Sequence, residues 1–307
     1  MTNTEVETAA PQTARSRGGW RRPGRLIAVA AAAVVLAGSG FLILNGKDEA
    51  VATDEVTGGV AAKEVTAADL TKVSQTRVFF GHQSVGYNVL DGVAAVYGAH
   101  SLTAPPVEER RDAPTATSGV VVHATIGENG KPLDKIKDFD ALIRGGVGAQ
   151  VDVAMMKLCY IDIAPGTDVD AIFAAYRDTI AALERDFPKV TFVKTTVPLT
   201  TQTGRLSQLK QWVKGTADSD LLGPAANATR ERLNQLIRKE YGDAHLFDVA
   251  AVESTAPGGD RVGGTHGGQP YFTLADAFAS DEGHLNGDGA QRAATAWLAA
   301  VAQASSK

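Results

Sequence analysis

The chain has 307 residues, 44% of them apolar and 21% charged, with a formal net charge of −5 and a single cysteine, Cys159. That balance is globular and excludes wholesale disorder, and its acidity argues against a general nucleic-acid partner. One cysteine excludes an internal disulfide and a thiolate-only zinc cage.

Residues 1–25 carry five arginines against Glu5 and Glu7, so this end is basic while the rest of the chain is acidic. Residues 26–44, LIAVAAAAVVLAGSGFLIL, hold no charge. As a helix, such a run reaches about 28 Å, close to the hydrocarbon thickness of a bilayer. Basic residues ahead of it, with Asp48 and Glu49 after it, predict a cytoplasmic N-terminus, a single-pass membrane anchor and an external C-terminal domain. Cleavage as a signal peptide, near the small residues Ala37 to Gly40, is the alternative and would give a secreted protein. Residues 45–66 are small, acidic and free of aromatics, the composition of a flexible linker. A folded domain is then expected over 67–307.

Within it, short apolar runs alternate with longer helical patterns. Strands are expected at 77–80 (RVFF), 120–124 (VVVHA), 151–158 (VDVAMMKL), 190–195 and 245–249 (HLFDV). Helices are expected at 84–97, 133–144, 168–187, 225–241 and 287–304; in the third of these Ile172, Tyr176, Ile180, Leu183 and Phe187 recur at helical spacing and form one apolar stripe. The alternation predicts an α/β fold with a mostly parallel five-stranded sheet and helices on both faces. Ligands of such sheets bind beyond the C-terminal strand ends, which directs attention to the residues just after each strand.

After the first strand comes Gly81-His82-Gln83-Ser84-Val85-Gly86. A serine between a strand end and a helix start is either a helix N-cap or a nucleophile favoured by the helix N–H groups and dipole. Before the last helix stands Ser280-Asp281-Glu282-Gly283-His284-Leu285-Asn286. There Asp281 is spaced to orient His284, as a serine-activating base requires. Both segments fall at the same sheet edge in the order Ser, Asp, His, which points to a serine-hydrolase site. His82, His123 and His284 show no known metal-ligand spacing, so neither metal nor cofactor is expected.

The segments FFGHQSVG (Phe79–Gly86), VKTTVPLT (Val193–Thr200), LFDVAAVEST (Leu246–Thr255) and DEGHLNGDGAQ (Asp281–Gln291) resemble the SGNH, or GDSL-like, hydrolase superfamily over about residues 73–301. The resemblance implies a three-layer α/β/α sandwich, flavodoxin-like, and an esterase or acyl-transfer site. Ser84 would be the nucleophile, His284 the general base and Asp281 its orienting acid. Gly127, in Ala124-Thr125-Ile126-Gly127-Glu128-Asn129-Gly130, would be an oxyanion donor, although the same segment also reads as an ordinary Gly/Asn turn. Two departures stand out. Gly-His-Gln-Ser replaces Gly-Asp-Ser, and the third strand ends Lys157-Leu158-Cys159-Tyr160-Ile161-Asp162 without the family's Gly-x-Asn-Asp. One oxyanion donor must therefore come from elsewhere: Asn129 is the first choice, with Lys157, Tyr160 and Gln83 as alternatives. The expected partner is an acyl-ester substrate, with acetylated carbohydrate as the class that an external location suggests. An O-acyltransferase and a non-catalytic carbohydrate-binding domain remain open alternatives.

Overall fold

A computed structural model describes residues 64–202 and 221–306. The basic segment, the apolar run 26–44 and all but the last three residues of the predicted linker lie outside the described residues. Among the described residues no helix is long and apolar enough to cross a membrane.

The first element is α1 (Ala67–Val73), started by a capping box between Thr66 and Asp69. Strand β1 (Arg77–His82) leads into α2 (Ser84–Asp91) and α3 (Val93–Ala99). Then come β2 (Val107–Glu109), β3 (Val120–Thr125), α4 (Pro132–Arg144), β4 (Val153–Met156) and α5 (Val169–Asp186). They are followed by β5 (Thr191–Thr195), α6 (Pro224–Tyr241), β6 (Leu246–Phe247) and α7 (Val249–Ser254). A hairpin of β7 (Gly263–His266) and β8 (Gln269–Phe272) precedes α8 (Gly287–Ala304).

The main sheet runs β2-β3-β1-β4-β5-β6, and all its pairings are parallel. It has six strands where five were expected. The addition is β2, three residues at an edge whose outer positions are exposed, too short and too wet to leave an apolar signature.

Alternation along the strands sorts the core into two layers. Val78, Phe80, Val121, Met155 and Val193 face one cluster with α1, α2, α3, α7 and α8. Phe79, Val122, Ala154, Met156 and Phe192 face the other, with α4, α5 and α6. Burial on both faces explains the unbroken apolar strands. The layers are therefore helix, sheet, helix, with Trp297 of α8 buried against Phe80 and donating its indole N–H to Met155 Sδ at 3.0 Å.

The helix expected over 84–97 is broken at Gly92. A Cβ there would overlap the Ala290 carbonyl of α8, so it is the absence of a side chain at Gly92 that lets α8 approach. From β1 the chain passes to the edge strand β2 and then to β3 on one side, and crosses to β4 on the other. The crevice beyond the C-terminal ends of β1 and β4 is thus the topological switch point.

Candidate active site

His82 at the end of β1, together with Gln83 and Gly86, builds the surroundings of Ser84. His82 is fully buried, and burial drives its pKa down to about 3, so the ring is neutral. Its Nδ1 lies 2.8 Å from the Gln83 carbonyl, which only accepts, so Nδ1 carries the proton. Its Nε2 then accepts from His123 Nδ1 at 3.0 Å. The His82 ring sits over Gly86, where any Cβ would collide with it. Gln83 donates its side-chain amide to the carbonyls of Ile126 (2.9 Å) and Gly127 (3.2 Å), joining this turn to the loop after β3.

Ser84 is half-buried and is the first residue of α2. The helix N-cap is Gln83, and no side chain makes the capping bond, so the N-cap reading of Ser84 does not apply. As an opening residue its N–H has no intrahelical acceptor and is available to an anion. Among the described residues the Ser84 hydroxyl has no hydrogen-bond partner, so a bond to His284 is not formed in this structure.

Asp281 and His284 lie on a loop closed by an Ala279–Leu285 bridge and by Ser280 N–H to the His284 carbonyl at 2.9 Å. His284 Nδ1 lies 2.9 and 2.8 Å from the two Asp281 oxygens. A carboxylate only accepts, so Nδ1 carries a proton, and in the neutral ring Nε2 then has the lone pair that a general base uses. Partial burial pushes the Asp281 pKa up. The Gly283 N–H, the imidazole and the His284 N–H more than offset it, and the carboxyl titrates below its ordinary range. Asn286 completes the loop by capping α8 through Gly289 N–H at 2.9 Å.

Several bonds fix this loop against the sheet edge. Asn88 Oδ1, one turn after Ser84 in α2, accepts the Leu285 N–H at 3.2 Å. Thr201, in the loop after β5, donates its N–H to the Glu282 carbonyl at 2.8 Å. Tyr160, after β4, presents its ring edge-on to His284, with centroids 5.8 Å apart at 78°. A Cβ at Gly283 would come within 2.5 Å of that ring, so the glycine admits the tyrosine. Arg230 of α6, itself fully buried, holds the Tyr160 carbonyl at 3.0 Å and stands 5.7 Å from its ring. Tyr160 and Arg230 were not assigned these supporting roles from sequence. Helical patterning marks Arg230 only as part of a helix, and only the long-range contacts reveal its use.

The oxyanion candidates are sorted by their hydrogen bonds. The Gly127 N–H, expected as an oxyanion donor, is engaged by Asp138 Oδ2 at 2.7 Å in this structure. The Gln83 amide is spent on two carbonyls. Lys157 is fully buried and donates to the Leu158 carbonyl at 3.2 Å. Asn129 is exposed, and its Oδ1 accepts from Lys135 Nζ at 2.8 Å, which leaves its Nδ2 available as a donor.

Fold and site together define a parallel α/β/α protein whose C-terminal sheet edge carries a helix-opening serine and an Asp-bound histidine. No protein-family profile matches the sequence, and no curated protein matches it. Similar solved structures do exist. A protein assigned as a GDSL-like lipase from Parabacteroides merdae shares 14% identity over 75% of this chain and 97% of its own, with a TM-score of 0.40. One assigned as an SGNH hydrolase from Slackia heliotrinireducens shares 13% over 74% and 99%, with a TM-score of 0.42. An acetyl esterase mutant with an acetate ion shares 16% over 71% and 92%, with a TM-score of 0.38. Two of these descriptions name the superfamily that the motifs resemble.

Proposed function

We propose that this chain is a serine-type ester hydrolase with Ser84 as nucleophile, His284 as general base and Asp281 as the group that orients the imidazole. The observation that carries the reading is the Asn88–Leu285 bond, which ties the free-Nε2 histidine to the helix that Ser84 opens. Ser84 Oγ attacks the acyl carbonyl carbon while its proton passes to His284 Nε2. The oxyanion that forms is received by the Ser84 N–H and Asn129 Nδ2. Collapse expels the alcohol, which takes the proton from His284 and leaves acyl-Ser84. Water then attacks the acyl-enzyme, with His284 again as base, and releases the carboxylic acid and free Ser84.

The basic residues ahead of the apolar run 26–44 support an anchored or exported protein with its catalytic domain outside the cytoplasmic membrane. The substrate class we assign is therefore an acyl ester of a surface or environmental polysaccharide, acetyl esters first. The test is acid release from short-chain acyl esters and acetylated polysaccharide by the full-length protein and its Ser84→Ala and His284→Ala variants. Hydrolysis by the wild type alone is expected. A wild type inert toward all these esters contradicts the reading.

A further inference from the structure

Lys135, in the first turns of α4, and Asp162, after β4, form an ion pair at 2.7 Å whose two side chains are both 0% exposed. Burying two such charges is costly unless hydrogen bonds offset it, and apolar residues of similar volume often serve stability as well or better. What the pair holds is therefore more telling than the pair itself.

All three Lys135 N–H groups are used, two on the Asp162 oxygens at 2.8 and 2.7 Å and one on Asn129 at 2.8 Å. Asp162 also accepts the Gly130 N–H at 2.9 Å and the Cys159 N–H at 2.6 Å. One carboxylate thus joins the loop after β3 to the loop after β4. An ammonium donates and never accepts, so the Asn129 atom facing Lys135 has to be the carbonyl oxygen. Its amide nitrogen is therefore not spent on Lys135, and it stands on the loop that Gln83, the neighbour of Ser84, also holds.

We infer that Lys135 and Asp162 are positioning residues for an oxyanion donor, a buried pair that holds the Asn129 amide with its N–H groups turned to the site. The inference rests on the reading of Ser84 as nucleophile. It also accounts for the missing third-strand asparagine. The loop after β4 contributes a supporting carboxylate, Asp162, while the donor stands on the loop after β3.

The test is the rate of Ser84 phosphonylation by a fluorophosphonate, and kcat and KM on a short-chain ester, in the full-length protein. Asn129→Ala is expected to lower the phosphonylation rate and kcat by about 10²–10³ with KM little changed. The double variant Lys135→Met/Asp162→Leu, which removes both charges together, is expected to lose tenfold or more. Added to Asn129→Ala it should cost nothing further, because both changes remove one interaction. A folded double variant that reacts like the wild type overturns the inference, as does a loss fully additive with that of Asn129→Ala. Should the double variant not fold, Asn129→Asp decides, since it keeps the oxygen facing Lys135 and removes the outward donor. A loss at least as large as that of Asn129→Ala supports the inference, and a wild-type rate overturns it. An unreactive wild type overturns the nucleophile reading and this one together, whereas reactive Asn129 variants overturn this one alone.

Discussion

Asn88 and Leu285 are 197 positions apart, yet Asn88 Oδ1 accepts the Leu285 N–H at 3.2 Å. Because Asn88 follows Ser84 by one helical turn, this bond sets the histidine loop against the helix that carries the nucleophile. A hydrogen bond of this kind contributes about 1 kcal/mol net, or roughly a fivefold change in rate if it is fully expressed in the transition state. Asn88→Ala is therefore expected to lower kcat several-fold. Asn88→Asp, which retains the accepting oxygen, should recover part of the loss. Steady-state kinetics on a short-chain ester check both.

Tyr160 and Arg230 brace the other side of His284. The tyrosine ring fills the space that Gly283 leaves, and Arg230 holds its carbonyl while also bonding Thr200 Oγ1 (3.1 Å), Asn227 Oδ1 (2.8 Å) and the Leu221 carbonyl. Tyr160→Phe preserves the ring and should react nearly as the wild type does. Tyr160→Ala frees the imidazole to move, and a displacement of 1 Å in such a group can cost up to about 100-fold. Arg230→Lys loses the fork that spans several carbonyl-type acceptors, so it should lower both melting temperature and kcat. Thermal melts alongside kinetics separate the two effects.

Glu253 of α7 is fully buried, and burial pushes its carboxyl from the ordinary 4.5 up to about 8. One oxygen accepts the Leu199 N–H at 2.7 Å, and among the described residues Oε1 has no partner. Between these two pKa values the folded protein holds a proton that the unfolded chain has released. Stability from this group therefore falls as pH rises from about 4.5 to about 8. Glu253→Gln removes that dependence. Its melting temperature relative to the wild type should climb across this window, and a constant difference from pH 5 to 8 would contradict the assignment.

Strands β1, β3, β4 and β5 were legible because burial on both faces leaves unbroken apolar runs. The stripe from Ile172 to Leu183 was legible because α5 buries one side only. The segment 250–279, for which no strand or helix is expected, holds most of α7 and the β7–β8 hairpin. The hairpin turn, Gly267-Gly268 with φ of 58° and 79°, does match the two-residue turns that favour glycine. Its strands, GGTH and QPYF, lack the apolar alternation that marks a half-buried strand.

In the site, the serine and the Asp–His spacing were legible because local sequence places them at a strand end and on one loop. The oxyanion side was not. Whether the Gly127 N–H is free depends on Asp138, eleven residues on, and the facing of the Asn129 amide depends on Lys135 and Asp162. Those dependencies are set by folding, and no local spacing records them.

The central claim is that Ser84 is an activated nucleophile. The most direct measurement is intact mass and peptide mapping of the full-length protein after fluorophosphonate treatment, with Ser84→Ala and His284→Ala alongside. A single adduct on Ser84 in the wild type, absent in Ser84→Ala and strongly slowed in His284→Ala, is the predicted result. A folded wild type that acquires no adduct, or acquires it on another residue, would contradict it.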